Sequence, residues 1–148
     1  MTNKNSNLKN HKLEGLYRSY HQNGKLQQEG NYLNNKKHGL WRVYNDNGQL
    51  EQEVNWKHDI HDGITKFYNN NGQLEIEENI KNGKRNGILK WFHKNGKVYR
   101  EGNFKNNKED GVFKYYDENG KLEKEIIYQE GDIIIWLKSQ NTSNKQFQ

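Results

Sequence analysis

The sequence contains no cysteine, no proline and no alanine among its 148 residues. The absence of cysteine excludes disulfides, thiolate chemistry and cysteine-ligated zinc, and it is typical of a reducing compartment. Hydrophobic residues make up only 30% of the chain, so a thick two-layer core is not expected. Aromatic residues nevertheless reach 12%, which argues against simple disorder. The scarce apolar side chains must therefore be spaced regularly and used locally.

Long apolar segments are also missing. No run approaches the roughly 18 apolar residues of a membrane span, and residues 1–7 do not resemble a signal peptide. We therefore expect a cytoplasmic protein. The net charge of +5 permits an acidic partner, but both signs are interspersed along the chain, and solubility is the simpler explanation.

The dominant feature of the sequence is a strict repeat with a period of 24 residues. Asn-Gly pairs recur at Asn23-Gly24, Asn47-Gly48, Asn71-Gly72, Asn95-Gly96 and Asn119-Gly120. A second glycine column holds Gly15, Gly39, Gly63, Gly87 and Gly111. A glutamate column holds Glu29, Glu53, Glu77, Glu101 and Glu125, and an aliphatic column holds Leu26, Leu50, Leu74, Val98 and Leu122. Such columns in register indicate repeated structural units.

Each repeat is predicted to form one β-hairpin, because Asn-Gly between strand-like residues is the strongest short hairpin signal. In the second repeat the strands are predicted over residues 39–44 and 49–56, followed by a polar connector at 57–62. An eleventh strand is predicted at 133–138, where Trp136 falls in the sequence column of Leu16 and Ile135 replaces the glycine. Its all-apolar run would leave an adhesive sheet edge, which could pair with a second copy in a homodimer.

We therefore predict an all-β fold, an elongated antiparallel single-layer meander of five β-hairpin repeats plus a terminal half-repeat strand. The predicted organisation is a polar N-terminal arm (1–12), a repeat domain (13–138) and a polar tail (139–148). The repeats run over about 13–37, 38–61, 62–85, 86–109 and 110–132, with the closing strand at 133–138.

The length of the Asn-Gly loop decides which residues share a face of the sheet. A two-residue loop places Arg18 opposite Glu29 and gives every repeat a cross-strand ion pair. A three-residue loop instead groups the columns of Leu16, Tyr20, Leu26 and Tyr32 on one apolar face. Burying several large side chains outweighs one exposed ion pair, so we favour the three-residue loop. The other face then presents Trp41, Phe67, Trp91 and Tyr115 to solvent.

The unit at residues 39–53, Gly-Leu-Trp-Arg-Val-Tyr-Asn-Asp-Asn-Gly-Gln-Leu-Glu-Gln-Glu, resembles the variant form of the MORN (membrane occupation and recognition nexus) repeat. The resemblance covers residues 13 to about 132 in all five copies. Thr65 and Leu89 depart from it by replacing the aromatic, and Val54, Glu78 and Ile126 by replacing a glycine. It implies an extended sheet of successive hairpins. Bacterial chains of this kind are similar to the YwqK-type antitoxin and immunity proteins, which neutralise a partner toxin by binding it.

Residues that break the repeat symmetry are the candidates for chemistry. His58-Asp59-Ile60-His61-Asp62 offers metal-type ligands, but Asp62 belongs to the column before each glycine, so turn chemistry is the simpler interpretation and no metal is predicted. The basic connector Lys81–Asn86, which includes Arg85, could touch phosphates, although a solvated loop explains it as well. Tyr99-Arg100 replaces Glu51-Gln52 and could mark a contact surface. No nucleophile elbow, phosphate-binding glycine loop or zinc-protease motif is present, so we predict neither an enzyme nor a cofactor.

The favoured hypothesis is an antitoxin, immunity protein or similar inhibitor that occludes a partner toxin or effector. Large aromatics and arginine are the usual anchors of such contacts, which gives the candidate set Trp41, Phe67, Trp91, Tyr115, Arg85 and Arg100. The alternatives are a MORN-type structural scaffold or adaptor at an acidic membrane surface, and a nucleic-acid-contacting accessory protein, which is disfavoured.

Overall fold

The computed structural model describes residues 8–9 and 12–138, and every regular element in them is a β-strand. The strands are β1 (Leu8–Lys9), β2 (Lys12–Leu13), β3 (Gly15–Tyr20), β4 (Leu26–Leu33), β5 (Lys36–Tyr44), β6 (Leu50–Lys57), β7 (Ile60–Tyr68), β8 (Leu74–Lys81), β9 (Lys84–Phe92), β10 (Val98–Lys105), β11 (Lys108–Glu109), β12 (Gly111–Tyr116), β13 (Leu122–Gln129) and β14 (Asp132–Lys138). This part of the chain contains no helix with the length and apolarity of a membrane span.

One open antiparallel sheet runs from β3 at one edge to β14 at the other, and consecutive hairpin strands pair along it. In the first and fifth repeats the long first strand is divided in two by a single residue. Glu14 separates β2 from β3, and Asp110 separates β11 from β12. The predicted all-β meander of five hairpins plus a closing strand is confirmed. The predicted tail at 139–148 and most of the arm at 1–12 lie outside the described residues, while β1 pairs with β2 within that arm.

Each Asn-Gly pair closes the predicted three-residue loop. One extra residue in the strand after the loop, however, gives the same arrangement of faces that a two-residue loop would give. In the first hairpin the Gly24 N–H donates to the His21 carbonyl at 3.0 Å, and Gly24 has a φ of +85°. Ser19 then pairs with Gln28, whereas Tyr20 pairs with Leu26, so Gln27 is an extra, bulged residue. Because the two shifts offset each other, Arg18 stands opposite Glu29.

The predicted face assignment is therefore wrong. Leu16, Tyr20 and Leu26 lie with Arg18 on what we call the outer face, whereas Tyr32 lies opposite Gly15 on the other side, which we call the core face. Leu16 is 43% exposed, so the predicted apolar face is not the buried one. The aromatic side chains that were expected to face solvent lie on the core face instead.

The connectors between repeats are tight turns and not the predicted polar loops. Asn34 and Asn35 have φ angles of 52° and 67°, and His58 and Asp59 have the same values in the next connector. Positive φ at both central residues is the signature of a two-residue hairpin turn whose twist matches its strands. The polar stretch at 57–62 therefore consists of two strand ends and one turn.

Each connector turn is fastened to the connector before it. The Asn35 N–H donates to the Leu13 carbonyl at 3.0 Å, and the Leu13 N–H donates back to Asn35 Oδ1 at 2.6 Å. We call this two-bond arrangement a turn clasp. It recurs with Asp59 on Lys37 and with Asn107 on Arg85. Gly83 and Gly131 keep only the backbone bond, to His61 and Glu109, because glycine has no side-chain acceptor.

The second glycine column lies where the pairing between neighbouring hairpins is irregular. Between the pairs Glu29–Arg42 and Asn31–His38, β4 advances two residues and β5 advances four. Gly39 lies in this segment with a φ of +75°, a conformation that costs other residues energy. Ile135 holds the same sequence position in β14, where a β-branched side chain disfavours positive φ.

The closing strand is consequently out of step with the other repeats. Between Tyr128–Ile133 and Ile127–Ile135, β13 advances one residue and β14 only two. Trp136 thus pairs with Ile126 on the core face, so the predicted equivalence of Trp136 with Leu16 holds in sequence but not in space. A one-residue change of register is enough to reverse the face of every side chain that follows.

A single line of core-face residues, which we call the core row, crosses the middle of the sheet. It runs through Tyr17, Gly30, Trp41, Val54, Thr65, Glu78, Leu89, Gly102, Phe113, Ile126 and Trp136. Glycine stands before two of the large rings: a Cβ on Gly30 would lie 2.2 Å from the Trp41 ring, and one on Gly102 would lie 2.2 Å from Phe113. The glycines are there because the ring of the next repeat occupies their side-chain space.

Candidate functional site

The aromatic residues predicted as partner anchors lie on the core face. Trp41 is 1% exposed and packs against Tyr17 and Tyr32, and Tyr115 is buried as well. Phe67 and Trp91 are partly buried in a neighbouring row of the same face. The expectation that Trp41 and Tyr115 are exposed contacts is wrong, because burial in the core removes both side chains from the surface.

The two candidate arginines are held by residues of the same chain. The Arg100 guanidinium stacks at 4.4 Å from the Trp91 ring centre and 4.6 Å from that of Phe113, and its Nη2 is 3.2 Å from a Glu109 carboxylate oxygen. Arg85 Nε donates to the buried Glu78 carboxylate at 2.7 Å. Arg100 thus forms cation–π contacts that stabilise the core face. Arg85 provides the counter-charge that a carboxylate in the core row requires.

The segment His58–Asp62 serves the connectors. Asp59 is part of a turn clasp, and Asp62 accepts from the Asn82 N–H at 3.2 Å, a bond that lowers the pKa of this carboxyl. His61 packs edge-on against Trp56 at 3.9 Å, and burial, with a smaller effect of Lys37, lowers its pKa. Among the described residues, no group of three or more His, Cys, Asp and Glu is arranged to hold a metal ion. The interpretation of Asp62 as turn chemistry fits its bonds.

The outer face carries a line of exposed aliphatic side chains, one from each repeat, which we call the outer stripe. Its members are 38% to 47% exposed. They are Leu16, Leu40, Ile64, Ile88 and Val112. Asparagines stand between them on the intervening strands, and Asn55 and Asn79 fold down to donate to the Ile64 and Ile88 carbonyls at 2.7 and 2.8 Å. The aliphatic side chains therefore project above their neighbours as regularly spaced knobs.

A charged row lies beside the outer stripe, two residues away from it on every strand. This charge ladder alternates in sign at each step across the sheet: Arg18, Glu29, Arg42, Glu53, Lys66, Glu77, Lys90, Glu101, Lys114 and Glu125. Arg18 Nε lies 3.1 Å from Glu29, and Arg42 Nε lies 3.0 Å from Glu53. The ladder is the cross-strand ion pairing that the two-residue loop had predicted, and it leaves this face with charges of both signs at fixed spacing.

Tyrosines on the third row of the outer face join the second, third and fifth hairpins to the hairpin before each of them. The Tyr68 hydroxyl donates to Glu53 at 2.9 Å, and the Tyr116 hydroxyl donates to Glu101 at 2.8 Å. Burial, reinforced by these hydrogen bonds, raises the pKa of Tyr68 to about 12 and that of Tyr116 to about 12. These contacts fix the carboxylates of the charge ladder in position.

A depression in the outer face lies across β8, β9, β10 and β12. A shallow groove of about 530 Å³ crosses the strands there, between the outer stripe and the charge ladder. It is lined by Glu77, Asn79, Ile88, Lys90, Glu101, Gly102, Asn103, Val112 and Lys114. None of these residues belongs to the predicted contact set, so the structure directs attention to the opposite face.

The sequence does contain a signal for the correct faces. Gly30 precedes Trp41 by the same interval as Gly102 precedes Phe113, and where Val54 replaces the glycine, the smaller Thr65 replaces the aromatic. Such compensation between columns marks them as neighbours in a packed layer. The asparagines that alternate with the aliphatic column similarly mark a face that remains in water.

A model of the MORN repeat variant matches residues 13–34, 37–58, 62–82, 85–106 and 109–130. No curated protein matches the sequence significantly. Among solved structures, the chain is similar to one described as "Crystal structure of GtfA/B complex bound to UDP and GlcNAc", with 14% identity and a TM-score of 0.40, over 70% of this chain and 23% of that one. Such a distant likeness says nothing about function. The five matched segments cover more than half of the chain, and the protein therefore belongs to the MORN repeat variant family.

Proposed function

We propose that this protein is a non-catalytic binding protein of the antitoxin or immunity type, which neutralises a partner toxin or effector by covering the partner's active site. The observation that carries the proposal is the outer stripe, with five aliphatic side chains held 38% to 47% exposed in one line. Exposed apolar side chains grouped in this way mark interaction sites. The cytoplasmic location expected from the lack of cysteine belongs to the same proposal.

The dimensions of the outer face suit a protein partner. Eleven strands spaced by about 4.8 Å give a surface about 48 Å long. The outer stripe, the charge ladder and the tyrosine row beside it form a band about 20 Å wide, enough to supply the roughly 800 Å² that one partner contributes to a stable interface. An apolar line with a charged row beside it also resembles the usual pattern of an apolar contact centre and a polar rim.

The experiment is co-expression with toxic polypeptides from the native host, followed by purification of the complex. We expect growth to be rescued and a stoichiometric complex to be recovered. The double variant Ile64→Ser, Ile88→Ser should weaken that complex at least tenfold while the far-UV circular dichroism spectrum is unchanged. Ile60→Ser is the matched control, because Ile60 is exposed to a similar degree on a connector and should have no effect.

Three results would contradict the proposal. Rescue that survives the double variant unchanged would place the contact elsewhere. Capture of several proteins without inhibition of any would favour the structural scaffold, and salt-sensitive pelleting with anionic vesicles would favour the membrane adaptor.

A further inference from the structure

The outer stripe has a spacing that restricts what can lie along it. Its members stand on every second strand, so neighbouring knobs are separated by two strand intervals, or about 9.6 Å. Like charges in the charge ladder have the same separation, because each sign occupies every second strand. A partner that contacts several repeats must therefore present apolar groups, with charges beside them, about once every 10 Å.

Two kinds of polypeptide meet that spacing. Seven residues of an α-helix advance about 10.5 Å, and three residues of an extended chain advance about 10 Å. The helical period exceeds the strand period by about 1 Å per repeat, so a straight helix stays in step over three or four repeats. The groove between Glu77 and Lys114 spans β8, β9, β10 and β12, about 14 Å, and includes the two knobs Ile88 and Val112, so a helix along it stays well within that limit.

Backbone hydrogen bonding separates the two. The strands beneath the groove already pair with both neighbours, so the face offers a partner side chains only. An extended segment laid across the strands would lose water from its amide groups without gaining hydrogen bonds, which is costly. A helix satisfies its own backbone groups and brings only side chains to the contact.

The charges complement the same partner. Lys90 and Lys114 carry one sign and Glu77 and Glu101 the other, in strict alternation beside Ile88 and Val112. A helix with an apolar residue every seven positions can also carry acidic and basic residues in alternation, three or four positions apart, along the flank of that line that faces the charge ladder. The aliphatic knobs then enter spaces between its turns, above the folded-down Asn79 side chain.

Resting on the proposed function, we infer that the groove beside Ile88 and Val112 binds an amphipathic α-helix of the partner, oriented across the strands, with an apolar residue at every seventh position. The helix packs its apolar line on the outer stripe and its flanking charges on the charge ladder. This names the class of partner segment that the proposed inhibitor recognises.

The test uses the full chain, immobilised, and a display library of random 28-residue peptides. We expect the selected peptides to lack proline, to repeat apolar residues every seven positions and to gain helical circular dichroism on binding. The double variant Ile88→Ser, Val112→Ser should reduce their affinity at least tenfold, with Ile60→Ser as the unaffected control. Lys90→Glu should favour peptides in which the facing acidic residue is replaced by lysine.

Selected peptides with proline, or with apolar residues every two or three positions, would overturn the helix assignment. So would failure to select any peptide sensitive to the double variant. If a purified toxin complex nevertheless depends on Ile64 and Ile88, the proposed function stands and only the helical partner is rejected. If that complex is also insensitive to the outer stripe, both are rejected.

Discussion

At the scale of single residues, packing is decided by pairs from successive repeats. Gly30 leaves room for Trp41, and Gly102 leaves room for Phe113, which is fully buried. Between the second and third repeats, the medium-sized side chains of Val54 and Thr65 together fill the equivalent space. A glycine in one copy is therefore retained for the side chain in the next copy, and neither residue can change alone.

Substitution at Gly102 tests this pairing. Gly102→Val should destabilise the fold by about 1–3 kcal/mol, because an added side chain would overlap the Phe113 ring. Combined with Phe113→Thr, which removes a buried ring and is itself destabilising, it should cost less than the sum of the two single losses, because the pair then resembles Val54–Thr65. Urea unfolding of the two variants and of Phe113→Thr alone gives the coupling free energy. Strictly additive losses would show that the two residues do not share space.

Tyr68 should give the fold a measurable dependence on alkaline pH. Its pKa is raised from 10.0 to about 12 in the folded chain by burial and by the hydrogen bond to Glu53. A phenol with a raised pKa stabilises the fold below pH 10, and this contribution is lost as the pH rises to about 12. Tyr68→Phe should therefore cost about 0.5–1.5 kcal/mol at pH 8, and the difference should vanish near pH 12. Phe92 shows that the column accepts phenylalanine. A difference that is constant from pH 8 to pH 12 in urea unfolding would refute the assignment.

At the scale of strands and turns, the hairpins could be predicted from the sequence, but the bulge that decides the two faces could not. The Asn-Gly pairs predicted the hairpins and the positive φ of Gly24. The bulge at Gln27 was not predicted, because a polar residue at that position is compatible both with a regular cross-strand pair and with an unpaired, bulged residue. Since that residue reverses the face of everything beyond it, the prediction exchanged the buried and exposed faces although the repeat columns were correct.

The sequence could predict the connector turns themselves but not the hydrogen bonds that join them. Asn34-Asn35, Asn82-Gly83 and Asn106-Asn107 are dipeptides that favour two-residue turns, so the connectors were predictable from residue type. The turn clasp was not, because it joins Asn107 to Arg85, one full repeat earlier. Local sequence cannot reveal a bond between turns that meet only after the sheet has formed.

Exchanging residues between two turns measures the clasp. Asn107 and Gly83 have similar φ angles, 72° and 76°, so either residue fits either turn. Asn107→Gly should cost about 0.5–1.5 kcal/mol by removing the acceptor for the Arg85 N–H, less the strain that glycine relieves at positive φ. Gly83→Asn should add the missing bond to the His61 N–H, with a smaller net gain because asparagine is strained at that φ. Amide exchange at Arg85 and His61 should change in opposite directions, and unchanged exchange at both would refute the role of the side chain.

At the scale of the whole molecule, stability is distributed between neighbouring repeats. Turn clasps, tyrosine–glutamate hydrogen bonds and core-row pairs each connect one repeat to the next. Repeat proteins of this kind behave as a sum of units and interfaces between neighbours. The sequence predicted this organisation because the period itself was visible, whereas which face meets a partner depends on the bulges.

Removal of one complete unit should be tolerated. Deleting residues 96–119 joins Asn95 to Gly120 and removes Gly102 together with Phe113, so Leu89 should pair with Ile126 in the core row. We expect a folded β-sheet with a lower unfolding free energy, seen by circular dichroism and urea unfolding. A control deletion of 12 residues, 96–107, breaks the alternation of strands and should not fold. If both deletions unfold, the array is more cooperative than its contacts indicate.

The turn clasp reaches back by one repeat and no further, and this has a consequence for how such a chain can evolve. Duplication or loss of a genetic segment that encodes 24 residues would insert or remove a step of two strands, leaving the remaining clasps intact. The recognition surface could then lengthen or shorten by about 10 Å at a time. Selection could match the reach of the protein to a new target by copy number first, and adjust the exposed side chains afterwards.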